Sequence, residues 1–92
     1  MEFVRKEHEI TLESPEGKVR ACVTFPSVDA GTVEIDHTFV DDSLRGQGIA
    51  GRLMEEAASC LRERNLKAVL TCSYAVKWFE KHPEYAEITK KI

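Results

Sequence analysis

The hydrophobic pattern of the sequence changes its period at Val40, and this change limits the folds that the chain can adopt. Before Val40, apolar and polar residues alternate, most clearly in VRACVTF (19–25) and TVEIDHTFV (32–40). Alternation of this kind is typical of half-buried strands. After Val40 the apolar residues recur at helical spacing, at Ile49, Leu53, Met54, Ala57 and Leu61. The pattern therefore predicts strands followed by a long helix.

Short turns rich in Pro and Gly separate the strands, which predicts an antiparallel meander of three strands. The predicted elements are strands over residues 3–13, 19–25 and 32–40, a helix over 47–64, a strand over 68–73 and a helix over 75–82. The third strand, the long helix and the fourth strand then form a right-handed β-α-β crossover with parallel strands. The predicted class is α/β (α+β), with one mixed sheet and a short C-terminal helix.

The turn before the long helix contains two overlapping phosphate-binding patterns. The stretch RGQGIAG (45–51) fits both G-x-G-x-x-G, typical of dinucleotide-binding folds, and R-x-x-G-x-A. The dinucleotide pattern is out of context, because five residues separate Gly46 from Val40 and no acidic residue ends the next strand. The second pattern fits its context. Glycines let backbone N–H groups approach an anion at a helix N-terminus, and Arg45 adds a cation.

Charge and cysteine spacing argue against several classes of protein. The 92 residues carry a net charge of −3, which is unusual for a nucleic-acid binder, and contain no apolar run long enough to span a membrane. Cys22, Cys60 and Cys72 lack the spacing of a zinc site or a disulfide framework. We expect one domain over residues 1–92, cytoplasmic, monomeric or weakly dimeric, with no metal and no nucleic-acid or membrane partner.

The stretch FVDDSLRGQGIAGRLMEEA (39–57) resembles the coenzyme-binding segment of the GNAT superfamily of acyl-CoA-dependent N-acetyltransferases. TCSYAVKWFEKHPEY (71–85) is similar to the next family segment, in a short, minimal branch. The resemblance covers about residues 33–85 and implies an acyl-CoA N-acyltransferase-like fold with acetyl-CoA as cosubstrate. It implies that the coenzyme's diphosphate is lined by Arg45, Gly46, Gln47, Gly48, Ile49 and Ala50. It also implies that the backbone of Phe39 and Val40 pairs with the pantetheine arm.

The chain departs from the family pattern at positions that matter for catalysis. The short turn after the first strand leaves no room for the helices that usually wall the acceptor site. Cys72 stands where family members often have Asn, and Phe79 where a Tyr commonly protonates the leaving thiolate. Tyr74 is therefore the candidate replacement acid. We expect Cys72 to lie beside the thioester and to act as a hydrogen-bonding group or a nucleophile. The alternative is that Cys72 is a small buried side chain that only packs in the core.

The predicted general base is His37. An uninterrupted third strand places it on an otherwise apolar face with Ile35 and Phe39. Histidine has an ordinary pKa of about 6.5, which suits a base near neutral pH. A partly buried histidine with one hydrogen bond is an equal alternative. Glu34 and Asp36, on the opposite face, are second choices as base.

Taken together, these features predict an N-acetyltransferase that moves an acetyl group from acetyl-CoA to an amine. The acceptor is open, and a protein, a peptide or a small amine would each suit it. The alternative is a coenzyme A- or acetyl-CoA-binding module without catalysis. The missing Tyr and the missing helices favour the binding module, whereas His37 and Cys72 favour the enzyme.

Overall fold

The computed structural model describes residues 2–90, which form seven strands, two α-helices and two short 3-10 helices. The strands are β1 (Glu2–Arg5), β2 (Glu9–Glu13), β3 (Val19–Thr24), β4 (Ser27–Asp29), β5 (Thr32–Ile35), β6 (His37–Val40) and β7 (Lys67–Leu70). The helices are α1 (Ile49–Glu63) and α2 (Ser73–Glu80), and the 3-10 helices cover Asp42–Leu44 and Pro83–Ile88. Neither α-helix in this part of the chain is long and apolar enough to cross a membrane.

The strands form two sheets that diverge after β5. One sheet is antiparallel, in the order β1-β2-β3-β6, and the other has the order β4-β5-β7. Strands β5 and β7 are parallel, and α1 lies between them in the chain. The predicted class, an α+β fold with a β-α-β crossover joining parallel strands, is thus confirmed, but the strands are divided between two sheets instead of forming one mixed sheet.

The predicted meander contains more strands than its pattern indicates. Residues 3–13, predicted as one strand, form the β1–β2 hairpin, in which Lys6 N–H donates to Glu9 C=O at 2.8 Å. The residues of this turn are polar, so they continue the rough alternation and conceal the bend. The predicted connection over 26–31 likewise contains β4, which pairs with β5.

Helix α1 buries its apolar side against the antiparallel sheet. Its periodic apolar residues meet the inward side chains of β2 and β3, and the fully enclosed members of this core include Ile10, Ala21, Val23, Leu53, Met54, Ala57 and Leu61. The helical spacing in the sequence reflects this burial, since only the side of a helix that faces the sheet must be apolar. The helix is thereby fixed, and its N-terminus lies next to the end of β6.

The third predicted strand is interrupted at Asp36 by a one-residue change of register. Before the interruption, Glu34 N–H donates to Pro26 C=O at 2.9 Å and Asp36 N–H to Thr24 C=O at 3.4 Å. After it, His37 is the ladder partner of Thr24. Asp36 and His37 therefore both oppose Thr24, which is the arrangement of a β-bulge.

The bulge overturns the predicted alternation of side chains, because a one-residue shift moves every following side chain to the other face. Ile35 is fully buried, but His37 and Phe39 are exposed on the sheet face opposite α1. Thr38 and Val40, predicted to point away from the apolar face, are half-buried instead. The prediction that His37 lies on an apolar face is wrong.

Candidate functional site

The turn over residues 45–48 enters α1 through two glycines in the left-handed region. Gly46 has a φ of +83° and Gly48 a φ of +72°, which glycine adopts readily. The first hydrogen bond of the helix joins Arg52 N–H to Gly48 C=O at 3.2 Å. The N–H groups of residues 49–51 consequently lack a partner within the helix. Together with the positive end of the helix dipole, they form a geometry suited to an anion.

Charged side chains surround this turn on its exposed side. Arg45 Nε lies 2.9 Å from Asp42 Oδ1, with 75% and 88% of the two side chains exposed. Such an exposed pair contributes little to stability, so Arg45 can exchange Asp42 for an incoming anion. The Ser43 hydroxyl and N–H both donate to the Asp41 carboxylate and hold its pKa below the usual range.

A cleft of about 190 Å³ opens beside the turn. Its lining residues are Val40, Leu44, Arg45, Gly46, Gly48, Ile49, Ala50, Gly51 and Tyr74. The structure thus gathers most of the predicted coenzyme-binding residues around one space, together with Tyr74. Gln47 is not among the lining residues, and its Nε2 donates to Ser43 C=O at 3.5 Å. Two larger cavities, of about 500 and 540 Å³, lie elsewhere and lack the glycine turn.

Strand β6 presents an open edge to this cleft. It pairs with β3 on one side and is last in its sheet. Asp41 N–H donates to Arg20 C=O of β3 at 2.7 Å. Because successive N–H groups along a strand point to opposite edges, the Val40 N–H points to the open edge. On the far side, Cys72 N–H donates to Ile35 C=O at 3.1 Å, and beyond this bond the two sheets separate.

Cys72 faces β6 where the two sheets begin to separate, and its Sγ is 3.5 Å from the Thr38 hydroxyl oxygen. Both residues are half-buried. Thr38 is not predicted from the sequence as a site residue, because uninterrupted alternation assigns it to the face with Glu34 and Asp36. The bulge at Asp36 turns Thr38 towards Cys72, so this contact depends on a feature that the alternation does not reveal.

The other predicted bases lie on the sheet face opposite α1. The Asp36 carboxylate accepts a hydrogen bond from the Thr24 hydroxyl at 2.6 Å, and the Glu34 carboxylate accepts one from the Thr71 hydroxyl at 2.7 Å. His37 is exposed at the start of β6. The structure therefore does not bring the predicted base into the lining of the cleft.

Tyr74 lies in the first turn of α2 and faces the first turn of α1. Its hydroxyl oxygen is 3.6 Å from the position that a Cβ on Gly51 would take. Burial raises the pKa of the Tyr74 hydroxyl. Phe79, at the position of the usual family acid, is buried in the core and offers no proton.

The protein family described as GCN5-related N-acetyl-transferase matches residues 7–88 of the chain. Protein NATD1 of Xenopus tropicalis is 35% identical over 83 residues, which cover 90% of this chain and 76% of that protein. Human protein NATD1 is 34% identical over 83 residues, or 90% of this chain and 74% of that protein.

Two solved structures are similar to the fold. The solution structure of a GCN5-like protein from Staphylococcus aureus has a TM-score of 0.78 at 32% identity, covering 99% of this chain and 89% of that one. The crystal structure of the GNAT family N-acetyltransferase YhbS from Escherichia coli, in complex with CoA, has a TM-score of 0.57 at 30% identity. It covers 63% of this chain and 35% of that one.

Proposed function

Because this chain belongs to the GCN5-related N-acetyltransferase family, we propose that it transfers an acetyl group from acetyl-CoA to an amine. The observation that carries the proposal is the glycine turn at the start of α1, next to the open edge of β6. The CoA complex of the Escherichia coli relative supports the choice of coenzyme.

In this proposal the coenzyme binds in two parts. The diphosphate binds to the backbone N–H groups at the start of α1, and Arg45 leaves Asp42 to join it. The pantetheine arm follows the open edge of β6 at Val40 and Thr38, whereas the backbone of Phe39, also predicted to pair with the arm, turns to β3. That edge offers backbone N–H and C=O groups, with which the amide groups of the arm pair like an added strand.

The acyl group then lies towards the bulge end of β6. Thr38 and Cys72 lie about 7 Å from Val40 along the strand, so they face the acceptor side of a thioester whose carbonyl oxygen meets the Val40 N–H. The Val40 N–H stabilises the oxyanion that forms when a neutral amine attacks the carbonyl carbon. The C–S bond breaks, and the thiolate takes a proton. Tyr74 is the proposed donor, because it lines the cleft together with Val40 and carries a hydroxyl.

The attacking amine must lose a proton, and His37 remains the proposed acceptor of that proton. Its exposed position at the start of β6 places it about 10 Å from Val40 along the strand, so the proton passes through water. The amine then approaches from the sheet face opposite α1. The acceptor can be a protein, a peptide or a small amine.

A binding module without catalysis is the second candidate function. Two observations favour it: Phe79 is buried where a proton donor is usual, and His37 lies outside the cleft lining. In that case the protein binds coenzyme A or acetyl-CoA and has no turnover. The glycine turn and the open edge of β6 are common to both candidates, so binding alone does not separate them.

Calorimetric titration with acetyl-CoA tests binding, and release of free thiol with polyamines and lysine peptides tests turnover. We expect Cys72→Ala to lower kcat without abolishing it. Cys22→Ala is the matched control, because Cys22 lies within β3, whereas the Cys72 thiol lies 3.5 Å from the Thr38 hydroxyl of β6. Binding without turnover on any amine would support the binding module, and absence of binding would exclude both functions. Mass spectrometry adds a third readout, since an acetyl group that moves from Cys72 to an amine would establish a covalent route.

A further inference from the structure

The indole N–H of Trp78 has no hydrogen-bond partner among residues 2–90, although the residue is only 7% exposed. Buried tryptophan N–H groups usually find an acceptor, because an unsatisfied buried donor is costly. In this part of the chain no fully enclosed side-chain nitrogen or oxygen lacks a partner. The Trp78 nitrogen is therefore not fully enclosed, and an acceptor from outside residues 2–90 can reach it.

The open side of this nitrogen faces the first turn of α1. A Cβ on Gly51 would lie 3.7 Å from Trp78 Nε1 and 3.6 Å from the Tyr74 hydroxyl oxygen. Gly51 and Tyr74 both line the cleft beside the glycine turn. The absence of a side chain at Gly51 consequently leaves room for a ligand atom between the Trp78 nitrogen and the first turn of α1.

Three aromatic neighbours hold the indole in this orientation. Trp78 meets Phe79 edge to face at 5.0 Å between ring centroids, and it stacks on His82 at 3.8 Å. Tyr85 lies at 5.8 Å. The ring of His82 is itself fixed, because its Nδ1 is 2.7 Å from Trp78 C=O. The donor is thus oriented before any ligand arrives, which reduces the cost of binding.

We propose that the Trp78 indole N–H donates a hydrogen bond to an oxygen atom of the bound coenzyme beside Gly51. The coenzyme's identity rests on the proposed function. An oxygen acceptor is required, because an indole N–H only donates and the neighbouring backbone N–H groups donate as well. A diphosphate oxygen and an amide oxygen of the pantetheine arm share this chemistry. Trp78 is then a coenzyme-binding residue that holds the arm against α1.

The test uses the fact that Trp78 is the one tryptophan in the chain. Its fluorescence therefore reports on this position alone. Trp78→Phe removes the N–H and keeps an aromatic ring, and calorimetry measures its Kd for CoA. Tyr85→Phe is the matched control, since it removes a hydroxyl that lies 3.4 Å from Ser59 Oγ, in the same aromatic cluster but outside the cleft.

We expect CoA to change the fluorescence of the unmodified protein and Trp78→Phe to weaken CoA binding about tenfold, with Tyr85→Phe unchanged. Titration with ADP, which lacks the arm, locates the oxygen. If Trp78→Phe weakens the binding of both CoA and ADP, the acceptor oxygen belongs to the diphosphate. If it weakens the binding of CoA alone, the acceptor oxygen belongs to the pantetheine arm. A folded Trp78→Phe with unmodified affinity would overturn the inference and leave the proposed function intact. If Trp78→Phe does not fold, unchanged tryptophan fluorescence of the unmodified protein at saturating CoA would overturn the inference. No CoA binding by the unmodified protein would overturn both.

Discussion

Replacing Gly51 with Ala should stabilise the fold and weaken coenzyme binding, two effects of opposite sign. Gly51 is the third residue of α1, where Ala is more favourable than Gly by up to about 1 kcal/mol. The new Cβ would meet Tyr74 and Trp78 at 3.6 and 3.7 Å, which is ordinary van der Waals contact and causes no clash. The melting temperature of this 92-residue chain should therefore rise, by about 4–8 °C for a full kcal/mol.

The same methyl group fills the space between the Trp78 nitrogen and the first turn of α1. It keeps a coenzyme oxygen from that position, and the loss of one hydrogen bond weakens CoA binding about tenfold. Urea unfolding followed by circular dichroism measures the first effect, and calorimetric titration with CoA measures the second. Glu55→Ala, an exposed substitution on the next turn of the helix, is the control and should keep the affinity. A stabilised Gly51→Ala variant with unchanged affinity would refute the reasoning.

Four further substitutions test the remaining parts of the site. Gly48→Glu should abolish CoA binding in a folded protein, because it places a carboxylate where the backbone N–H groups receive an anion; calorimetry that still finds binding would reject this location. His37→Gln should flatten the rise of kcat with pH and leave Kd and the melting temperature unchanged, whereas an unaltered pH profile would exclude His37 as the base. Thr38→Val removes the hydroxyl at Cys72 and should lower kcat several-fold at constant Kd; equal kcat values would show that the contact is dispensable. Ser43→Ala should raise the pKa of Asp41 towards its ordinary value, as an NMR titration can follow. Because the pKa of Asp41 is lower in the folded protein than in the unfolded chain, its carboxylate stabilises the folded state at pH values above the unfolded pKa. This stabilisation is lost as the pH falls through the pKa of the folded protein. The variant should therefore be less stable than the unmodified protein near neutral pH but not in strong acid.

The parts of the site that depend on neighbouring residues could be predicted. The glycine turn was recognised because Gly46 and Gly48 precede a helical pattern, and both take the left-handed backbone that glycine permits. Helix α1 was recognised because its burial against one sheet imposes a helical period on the sequence. The β-α-β crossover followed from the order of these patterns. Local propensity and periodicity suffice for the turn and the helix, and the order of the elements along the chain suffices for the crossover.

The contacts of the catalytic candidates depend instead on residues that are far apart in the chain. The bulge at Asp36 arises because β5 pairs with β7 while β6 pairs with β3, and the extra residue lets one strand join two diverging sheets. An alternating pattern carries no sign of one extra residue, yet that residue exposes His37 and turns Thr38 to Cys72. The approach of Trp78 to Gly51 likewise requires α2 to pack on the first turn of α1. The local sequence therefore specifies the glycine turn, and the packing of distant strands and helices specifies which side chains lie around the cleft beside it.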